Sequence, residues 1–216
     1  MYLPSHFRED RLDVLLDLIR KYPLATLVTF GGDGIVASHI PLVHDPEPSP
    51  WGTLHGHVAR ANSQWHTSRP DVEALAIFHG PQAYVSPSWY VTKGQTGRVV
   101  PTWNYVVVHV YGPLEAYADA ARLREHLDRL TAAQEAAFAP PWTPADAPAE
   151  FIDSLQRAIV GIDLRITRME GKWKASQNRP AEDRLGVTRG LEQRAEVEDA
   201  AMARVVRERS GTSPGG

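Results

Sequence analysis

A stretch of β-forming residues from His79 to Gly112 constrains the fold of this chain more than any other part of its sequence. Two runs within it, 83–86 and 99–112, are rich in Val, Tyr and Trp, which fit a pleated, half-buried strand surface. Pro87 ends the first run, and a segment of Gly, Lys, Gln and Thr separates it from the second. The pattern therefore predicts two strands that meet across a loop.

Polar and aromatic side chains gather where these two runs meet. They are three hydroxyls, two indoles and one carboxamide: Ser86, Ser88, Thr102, Trp89, Trp103 and Asn104. Flat aromatic faces beside short hydrogen-bonding groups can hold a planar ring with polar edges. The same side chains could instead fill a barrel corner, with the hydroxyls used in turns. These residues alone leave both interpretations open.

The chain before this stretch predicts one amphipathic helix followed by short strands. Apolar residues recur at helical spacing over 8–22, and Pro23 ends that pattern. Strands are predicted at 25–30, 35–43, 52–58 and 74–78, with a glycine-rich hairpin at 31–34 and a short helix ending at Ser68. About six short strands before residue 113, joined by turns, favour an antiparallel barrel over a parallel sheet.

The chain after residue 113 predicts helices, one strand and a charged end. Helices are predicted at 119–137, 151–159 and 192–209, a proline-rich connector at 139–148, a strand at 161–169, and a disordered Ser/Gly/Pro tail. We therefore expect a mainly β fold with flanking helices. Residues 1–170 would form the barrel domain, with an N-terminal helix and inserted helices at 119–158. Residues 171–216 would carry a basic motif, the charged helix and the tail, packed on the barrel or extending from it.

Composition and motifs exclude several classes of protein. A net charge of −3 argues against a protein that coats nucleic acid nonspecifically. The chain has no cysteine, which excludes disulfides, thiolate nucleophiles and cysteine-based metal sites. It has no leader pattern and no run near the roughly 18 apolar residues of a membrane span, so a cytoplasmic protein without a membrane segment is expected. Phosphate-loop, nucleophile-elbow and dinucleotide motifs are absent from the sequence.

Three histidines on two predicted strands are candidate ligands for a metal ion. His55 and His57 flank Gly56 and so point to one face of their strand. Only His39 offers a third ligand, and no carboxylate lies close in sequence, so no metal site is predicted. His57 is expected either to line a ligand pocket or to lie in the core, and His109 in the core or at an interface.

Longer motifs carry a resemblance to a known family. They are Met1–Pro4, Ala37–Pro41, Gly56–Asn62, Gly80–Tyr90, Val100–Tyr105 and Ser176–Arg179. Over residues 1 to about 190 the chain resembles the PaiB-type family of FMN-binding negative transcriptional regulators. The resemblance implies an antiparallel split β-barrel of the pyridoxamine-phosphate-oxidase and flavin-reductase kind, usually a homodimer with FMN at the subunit interface. It also implies a link to repression of sporulation and protease genes.

FMN requires an anion site, donors for its pyrimidine edge and an apolar wall. The phosphate could lie at Arg60, Asn62, Ser63 and Gln64, although Asn62 and Ser63 could simply cap a short helix. A second basic cluster, Lys172, Lys174, Gln177 and Arg179, either contacts phosphate or is a solvated face. The residues expected to bind the cofactor are Ser38, His39, His57, Arg60, Asn62, Ser63, Gln64, Ser86, Trp89, Trp103, Lys172, Gln177 and Arg179. The arginine- and lysine-rich phosphate signature of the oxidase relatives is missing from the second and third predicted strands.

Three functions remain open from the sequence. The first is a flavin-binding dimer with the family's regulatory role, or a flavin reductase or other small-molecule oxidoreductase. The second is a regulator that binds DNA or a partner protein, for which the arginines of the C-terminal helix (Arg194, Arg204, Arg207 and Arg209) are the candidate surface. The third is a haem-binding barrel with His39, His57 or His109 as a ligand to iron. No catalytic residue is assigned.

Overall fold

The computed structural model describes residues 1–32, 34–47 and 50–211. Its helices are α1 (Leu12–Lys21), α2 (Gln64–Thr67), α3 (Thr92–Thr96), α4 (Ala120–Glu135), α5 (Ala149–Arg157), α6 (Ala181–Arg194) and α7 (Asp199–Gly211). Its strands are β1 (Arg8–Glu9), β2 (Leu24–Gly31), β3 (Gly34–Pro41), β4 (Val43–Asp45), β5 (Thr53–Ala59), β6 (Ala74–Val85), β7 (Thr102–Gly112), β8 (Leu114–Tyr117), β9 (Ile159–Arg165) and β10 (Arg168–Lys174). The predicted mainly β fold with flanking helices is confirmed. The tail predicted to be disordered and part of the 31–34 hairpin lie outside the described residues.

The chain divides into two compact units that do not follow the order of the sequence. The first unit contains Met1–Leu15, His79–Val108 and the chain from Glu170 onward. The second unit contains Leu16–Phe78 and His109–Met169. Strands β6 and β7 contribute residues to both units. The domain boundary predicted at residue 170 stays a prediction.

The first unit contains a sheet and a helical hairpin. Its strands follow the order β1-β10-β7-β6, and β1 pairs antiparallel with β10. Helices α6 and α7 share a buried cluster with the end of β6: Ala83, Val85, Tyr90, Ala175, Val187, Leu191, Met202, Ala203 and Val206. Apolar side chains at helical spacing on both helices create this core, whose burial is worth about 25 cal/mol per Å² of apolar surface.

The second unit contains the β2–β3 hairpin and a separate four-stranded sheet. Strand β2 pairs antiparallel with β3 and with the start of β6. The four-stranded sheet has the order β4-β5-β9-β8 with antiparallel pairs throughout. Alternate residues of β2 are buried, as expected of a strand with one face in the core. Helix α4 begins at its N-cap Asp119, whose carboxylate accepts a hydrogen bond from Arg122 N at 2.8 Å.

Three sequence predictions differ from the structure. The strands predicted at 74–78 and 83–86 form one strand, β6, because Gly80 and Pro81 are buried in an extended backbone that the φ of proline permits. The strand predicted at 161–169 begins as β9, and the chain then turns into β10. The helix predicted at 192–209 is two helices, because Ala195 ends α6 in the left-handed region with φ of 53°.

None of the helices in the described ranges combines the length and the apolar character that crossing a membrane requires.

Candidate functional site

The thirteen predicted cofactor residues fall into both units. Seven lie in the second unit: Ser38, His39, His57, Arg60, Asn62, Ser63 and Gln64. Six lie in the first unit: Ser86, Trp89, Trp103, Lys172, Gln177 and Arg179. Each group lies within a single unit, and the two groups have different chemistry.

The first unit places two lysines on one face of a strand, beside one aromatic ring. Lys172 and Lys174 alternate along β10 and therefore point to the same face, and their Nζ atoms lie 5.3 Å and 6.0 Å from the centroid of the Tyr105 ring. Lys172 is only 8% exposed, and its Nζ donates to the Tyr2 carbonyl at 3.0 Å. Lys174 Nζ donates to Thr102 Oγ1 and to the Trp103 carbonyl. All of these hydrogen-bond partners are neutral.

A third cation, Arg179, completes this cluster. Its guanidinium carbon lies 4.8 Å from the centroid of the Tyr90 ring. Burial lowers the pKa of Lys174 below its usual value, and the positive charges of Lys172 and Arg179 lower it further. In the described part of the chain, none of the three cations forms an ion pair with a carboxylate. These three neighbouring cations, none of them ion-paired in the described chain, define a cationic cluster.

The turn after β10 holds Arg179 in place. Ser176 adopts a positive φ of 64°, and its hydroxyl accepts a hydrogen bond from the buried Asn104 carboxamide at 3.0 Å. Gln177 closes the same turn, since its Oε1 accepts from Ala175 N at 2.7 Å and its Nε2 donates to the Trp173 carbonyl. The contacts of Gln177 in the structure are those of a turn-forming residue, and its role towards a cofactor stays a prediction.

The two predicted tryptophans have different surroundings. Trp89 packs on α6 so closely that a Cβ added at Gly190 would lie 2.2 Å from its indole. Trp103 is 48% exposed, and its indole N–H donates to Gln82 Oε1 at 3.2 Å. It lines an open groove of about 430 Å³ together with Tyr84. Ser86 accepts a hydrogen bond from Ser88 N at 3.2 Å and so caps the turn that follows β6. Trp103 therefore presents an exposed ring, and its backbone carbonyl contacts Lys174 of the cationic cluster.

In the second unit, the residues predicted at the phosphate are engaged with the protein itself. Arg60 donates from Nε to the Arg157 carbonyl at 2.8 Å and from Nη2 to the Ile159 carbonyl at 2.9 Å. Asn62 donates to Ser38 Oγ at 3.0 Å, and its Oδ1 accepts from Gln64 N at 3.0 Å, as a capping residue does.

The remaining residues of this group differ in exposure. Gln64 is 1% exposed, and its Nε2 donates to the Leu27 carbonyl and to Thr29 Oγ1, both at 3.1 Å. Ser63 and His39 are exposed. The role of this group in cofactor binding stays a prediction.

The histidines of β5 belong to a separate network in the second unit. His55 Nδ1 lies 2.7 Å from Asp163 Oδ1, and Arg122 donates to the other oxygen of the same carboxylate. His57 Nδ1 lies 3.0 Å from Nε2 of His126 on α4. Burial lowers the pKa of His57, and it lowers the pKa of His126 to about 4 with a further contribution from the nearby His57. Across the described residues, no cluster of three or more metal-ligating side chains occurs.

Sequence reasoning missed the pairings of side chains that give both sites their geometry. Tyr105 and Thr102 meet Lys172 and Lys174 only after β7 and β10 fold, and His126 lies 69 residues from His57. The alternation of Lys172 and Lys174 was a usable signal, because residues two apart in a strand share a face. No local pattern marked His126, which lies within an amphipathic helix.

Comparison with solved structures identifies the fold class of this chain. The solved structure of the FAD and heme binding protein from Mycobacterium smegmatis has a TM-score of 0.55 at 16% identity, covering 77% of this chain and 73% of that chain. The antiparallel strands and this likeness give the chain the fold of the flavin-binding split β-barrels of the pyridoxamine-phosphate-oxidase kind.

The family follows from sequence. Residues 1–168 match the family model described as "Putative FMN-binding domain". An uncharacterized protein of Emericella nidulans is 35% identical over 244 residues, covering 97% of both chains. The protease synthase and sporulation protein PAI 2 of Bacillus subtilis is 27% identical over 209 residues, covering 97% of this chain and 98% of that protein. The chain therefore belongs to this FMN-binding domain family, FMN is its cofactor, and the PaiB-type resemblance is confirmed.

Proposed function

We propose that this protein works as a flavin-dependent oxidoreductase that holds the FMN phosphate at the cationic cluster of Lys172, Lys174 and Arg179. The observation that carries this proposal is that three cations share one site without a carboxylate partner in the described chain, and that Lys172 is 8% exposed. Burying uncompensated positive charge is costly, and a phosphate dianion offsets that cost through charge-assisted hydrogen bonds. The donor set therefore fits the phosphate group of FMN.

In this proposal, different residues of the first unit bind different parts of FMN. Lys172 and Lys174 supply two ammonium donors, and Arg179 supplies a planar guanidinium suited to a phosphate. The hydrogen bond between Asn104 and Ser176 fixes the turn that presents Arg179. Trp103, joined to the cluster through the bond from Lys174 to its carbonyl, offers an exposed aromatic face for a planar ring. When bound, FMN supplies one- and two-electron transfer, and the protein binds and orients it.

A regulatory role is the second candidate, and the likeness to PAI 2 of Bacillus subtilis supports it. The arginines of the C-terminal helices do not favour phosphate contacts with DNA. Arg194 pairs with Asp199, Arg207 with Glu192 and Arg209 with Glu9, so three of the four candidate arginines are already compensated. Regulation would therefore act through the flavin state or a partner protein. Binding to operator DNA at low salt with a steep salt dependence would contradict this.

The proposal includes a homodimer inside the cell, as the family resemblance implies. Size-exclusion chromatography with light scattering, with and without FMN, should give twice the chain mass. A monomer under both conditions would contradict the proposed dimer without contradicting the proposed phosphate site.

The haem alternative draws support from the likeness to an FAD and heme binding protein. A Soret band that survives purification and is lost on replacing His57 would favour haem over the flavin proposal.

The phosphate site is tested by titrating FMN into the apoprotein and following the quenching of flavin fluorescence. Lys174→Met should weaken FMN binding by about tenfold to a hundredfold, since it removes one charge-assisted hydrogen bond. Lys93→Met is the matched control, because Lys93 is an exposed lysine of the same unit, on α3. Equal FMN affinity in both variants, with wild-type circular dichroism, would overturn the proposed phosphate site.

A further inference from the structure

The open groove that Trp103 lines contains charged residues that the phosphate proposal does not use. Strands β6 and β7 contribute Tyr84 and Trp103 to its lining, and the segment 194–199, which links α6 to α7, contributes the charged residues. The whole lining belongs to the first unit. Its volume of about 430 Å³ lies within the range of roughly 300–1,000 Å³ that is typical of small-molecule sites.

The two aromatic rings of the groove are exposed and meet at a large angle. The ring centroids of Tyr84 and Trp103 lie 6.0 Å apart, with 65° between the ring planes. Among the described residues, no lysine or arginine lies over either ring, whereas Tyr90, Tyr105 and Trp89 each have a cation over the ring. Rings that meet at an angle are the walls of the aromatic cages that hold quaternary ammonium groups. Both rings of the groove are therefore available to a cation.

The charged lining of the groove is negative overall, since it has one arginine and three carboxylates: Arg194, Glu196, Glu198 and Asp199. Arg194 is committed to the protein. Its Nε donates to Asp199 Oδ2 at 2.8 Å, its Nη2 donates to the other oxygen of that carboxylate, and its Nη1 donates to the Tyr84 carbonyl at 3.2 Å. Within residues 1–32, 34–47 and 50–211, neither Glu196 nor Glu198 forms an ion pair. Two negative charges in the groove are therefore uncompensated.

Backbone contacts hold the acidic segment beside the strands. Ala195 ends α6 with a positive φ of 53°, and Glu196 N donates to Asp199 Oδ2 at 3.0 Å. Glu198 Oε2 accepts a hydrogen bond from Gln82 N of β6 at 3.3 Å. Because these contacts fix the segment before a ligand arrives, less conformational entropy is lost on binding.

We propose that this groove, which we call the Tyr84 groove, binds a small organic cation, with its alkyl groups on the two rings and its charge offset by Glu196 and Glu198. An anion would meet two carboxylates and would find the donors of Arg194 already used. A bare metal ion is disfavoured, because no group of three or more metal-ligating side chains occurs in the described chain. Aromatic faces together with carboxylates suit an organic cation best.

This inference deepens the proposed function and rests on it for one point, which is that the cation is the substrate class of the flavin enzyme. Trp103 connects the two sites, because its carbonyl accepts from Lys174 Nζ and its indole lines the Tyr84 groove. A phosphate at the cationic cluster would offset positive charges that otherwise repel a cation in the groove. FMN and the cation should therefore bind at the same time.

Choline is a suitable probe for the test. Titration of choline into the wild-type protein, followed through the indole N–H resonance of Trp103 by NMR, should show saturable binding in the millimolar range. The uncharged isostere of choline, an alcohol with a tert-butyl group in place of trimethylammonium, should bind at least about tenfold more weakly. An indole resonance that does not move at high choline concentration, or equal binding of the isostere, would overturn the proposal.

A pair of glutamine substitutions tests the carboxylates. The double variant Glu196→Gln with Glu198→Gln removes both charges and keeps an acceptor for Gln82 N, so it should fold normally and bind choline at least about fivefold more weakly. The matched control is Glu182→Gln with Glu208→Gln, at two exposed positions outside the lining. Equal choline affinity in the two double variants would contradict the assigned role of the carboxylates.

The same titration on FMN-loaded protein tests the role of the cation as substrate. Choline should bind with equal or higher affinity once FMN is present, and loss of choline binding on loading would overturn that role. The comparison of FMN with riboflavin separates the two proposals. Protein that prefers FMN but does not bind choline would refute the Tyr84 groove alone. Protein that binds choline but does not distinguish FMN from riboflavin would refute the phosphate site and support the groove as a cation site.

Discussion

The Nζ atom of Lys172 lies 5.3 Å from the centroid of the Tyr105 ring, in a position where the lysine is 8% exposed. The face of an aromatic ring attracts a cation, although by only about 0.5–2 kcal/mol. That attraction does not offset the burial of a charge whose neighbours Lys174 and Arg179 are also positive. A bound anion would stabilise this arrangement, which is the physical basis for proposing the FMN phosphate site here.

Replacing Arg60 tests whether the second unit also holds phosphate. The guanidinium of Arg60 bonds two carbonyls between α5 and β9, so Arg60→Met should lower the free energy of unfolding by about 1 kcal/mol and leave FMN affinity unchanged. Urea denaturation and FMN titration measure the two effects. Arg189→Met, at an exposed position of α6, is the control for stability. A tenfold loss of FMN affinity at unchanged stability would indicate instead that Arg60 binds the phosphate.

Gly190 should not tolerate alanine, although it lies inside a helix. Alanine normally stabilises a helix interior relative to glycine by about 1 kcal/mol. At this position a Cβ would lie 2.2 Å from the Trp89 indole, so Gly190→Ala should destabilise the protein by about 1–3 kcal/mol and shift the tryptophan fluorescence. Gly94→Ala on α3, where a Cβ meets no atom within 4 Å, should be neutral or stabilising. A stabilised Gly190→Ala protein would show that Trp89 does not pack on α6 in this way.

The stability of the protein should fall as the pH drops from about 6.5 to about 4. The pKa of His126 is about 4 in the folded chain because of burial and the nearby His57, against an ordinary value of 6.5. The unfolded chain therefore takes up a proton on this side chain first, and the contribution of His126 to stability declines across this window by at most about 3 kcal/mol and then levels off. Above pH 6.5 His126 is neutral in both the folded and the unfolded chain, so it contributes nothing to the dependence of stability on pH.

Chemical denaturation at a series of pH values measures this effect. The difference between wild type and His126→Gln should grow across the same window, because the variant has no proton to gain. His66→Gln, at an exposed position of α2, should keep the wild-type slope. A His126→Gln protein with an unchanged pH slope would contradict the assigned cause.

Local patterns in the sequence predicted most of the helices and strands. The apolar periodicity of α1 and α4 and the glycines of the β2–β3 hairpin act over a few residues, which is why these elements were recognised. The continuation of β6 through Gly80 and Pro81 depends on burial by distant parts of the chain. The break at Ala195 depends on the packing of α7 against α6, which no local residue preference signals.

The candidate site was harder to predict, because it is assembled from distant segments. The basic motif pointed to Lys172 and Arg179, but the absence of a compensating carboxylate in the described chain becomes visible only in three dimensions. The opposite holds for Gln64, a polar residue near a basic one in sequence, whose side-chain Nε2 donates to the carbonyl of Leu27 and the hydroxyl of Thr29 inside the protein. The pairing of His57 with His126 also requires the folded sheet and helix.

The central claim is that the protein recognises FMN through its phosphate at Lys172, Lys174 and Arg179. The most direct test compares the dissociation constants of FMN and riboflavin, which differ only in that phosphate, for the wild type and for Arg179→Met. The account predicts that the wild type binds FMN at least about a hundredfold more tightly than riboflavin, and that the variant loses about tenfold or more of this preference. Equal affinity of the wild-type protein for FMN and riboflavin would contradict it.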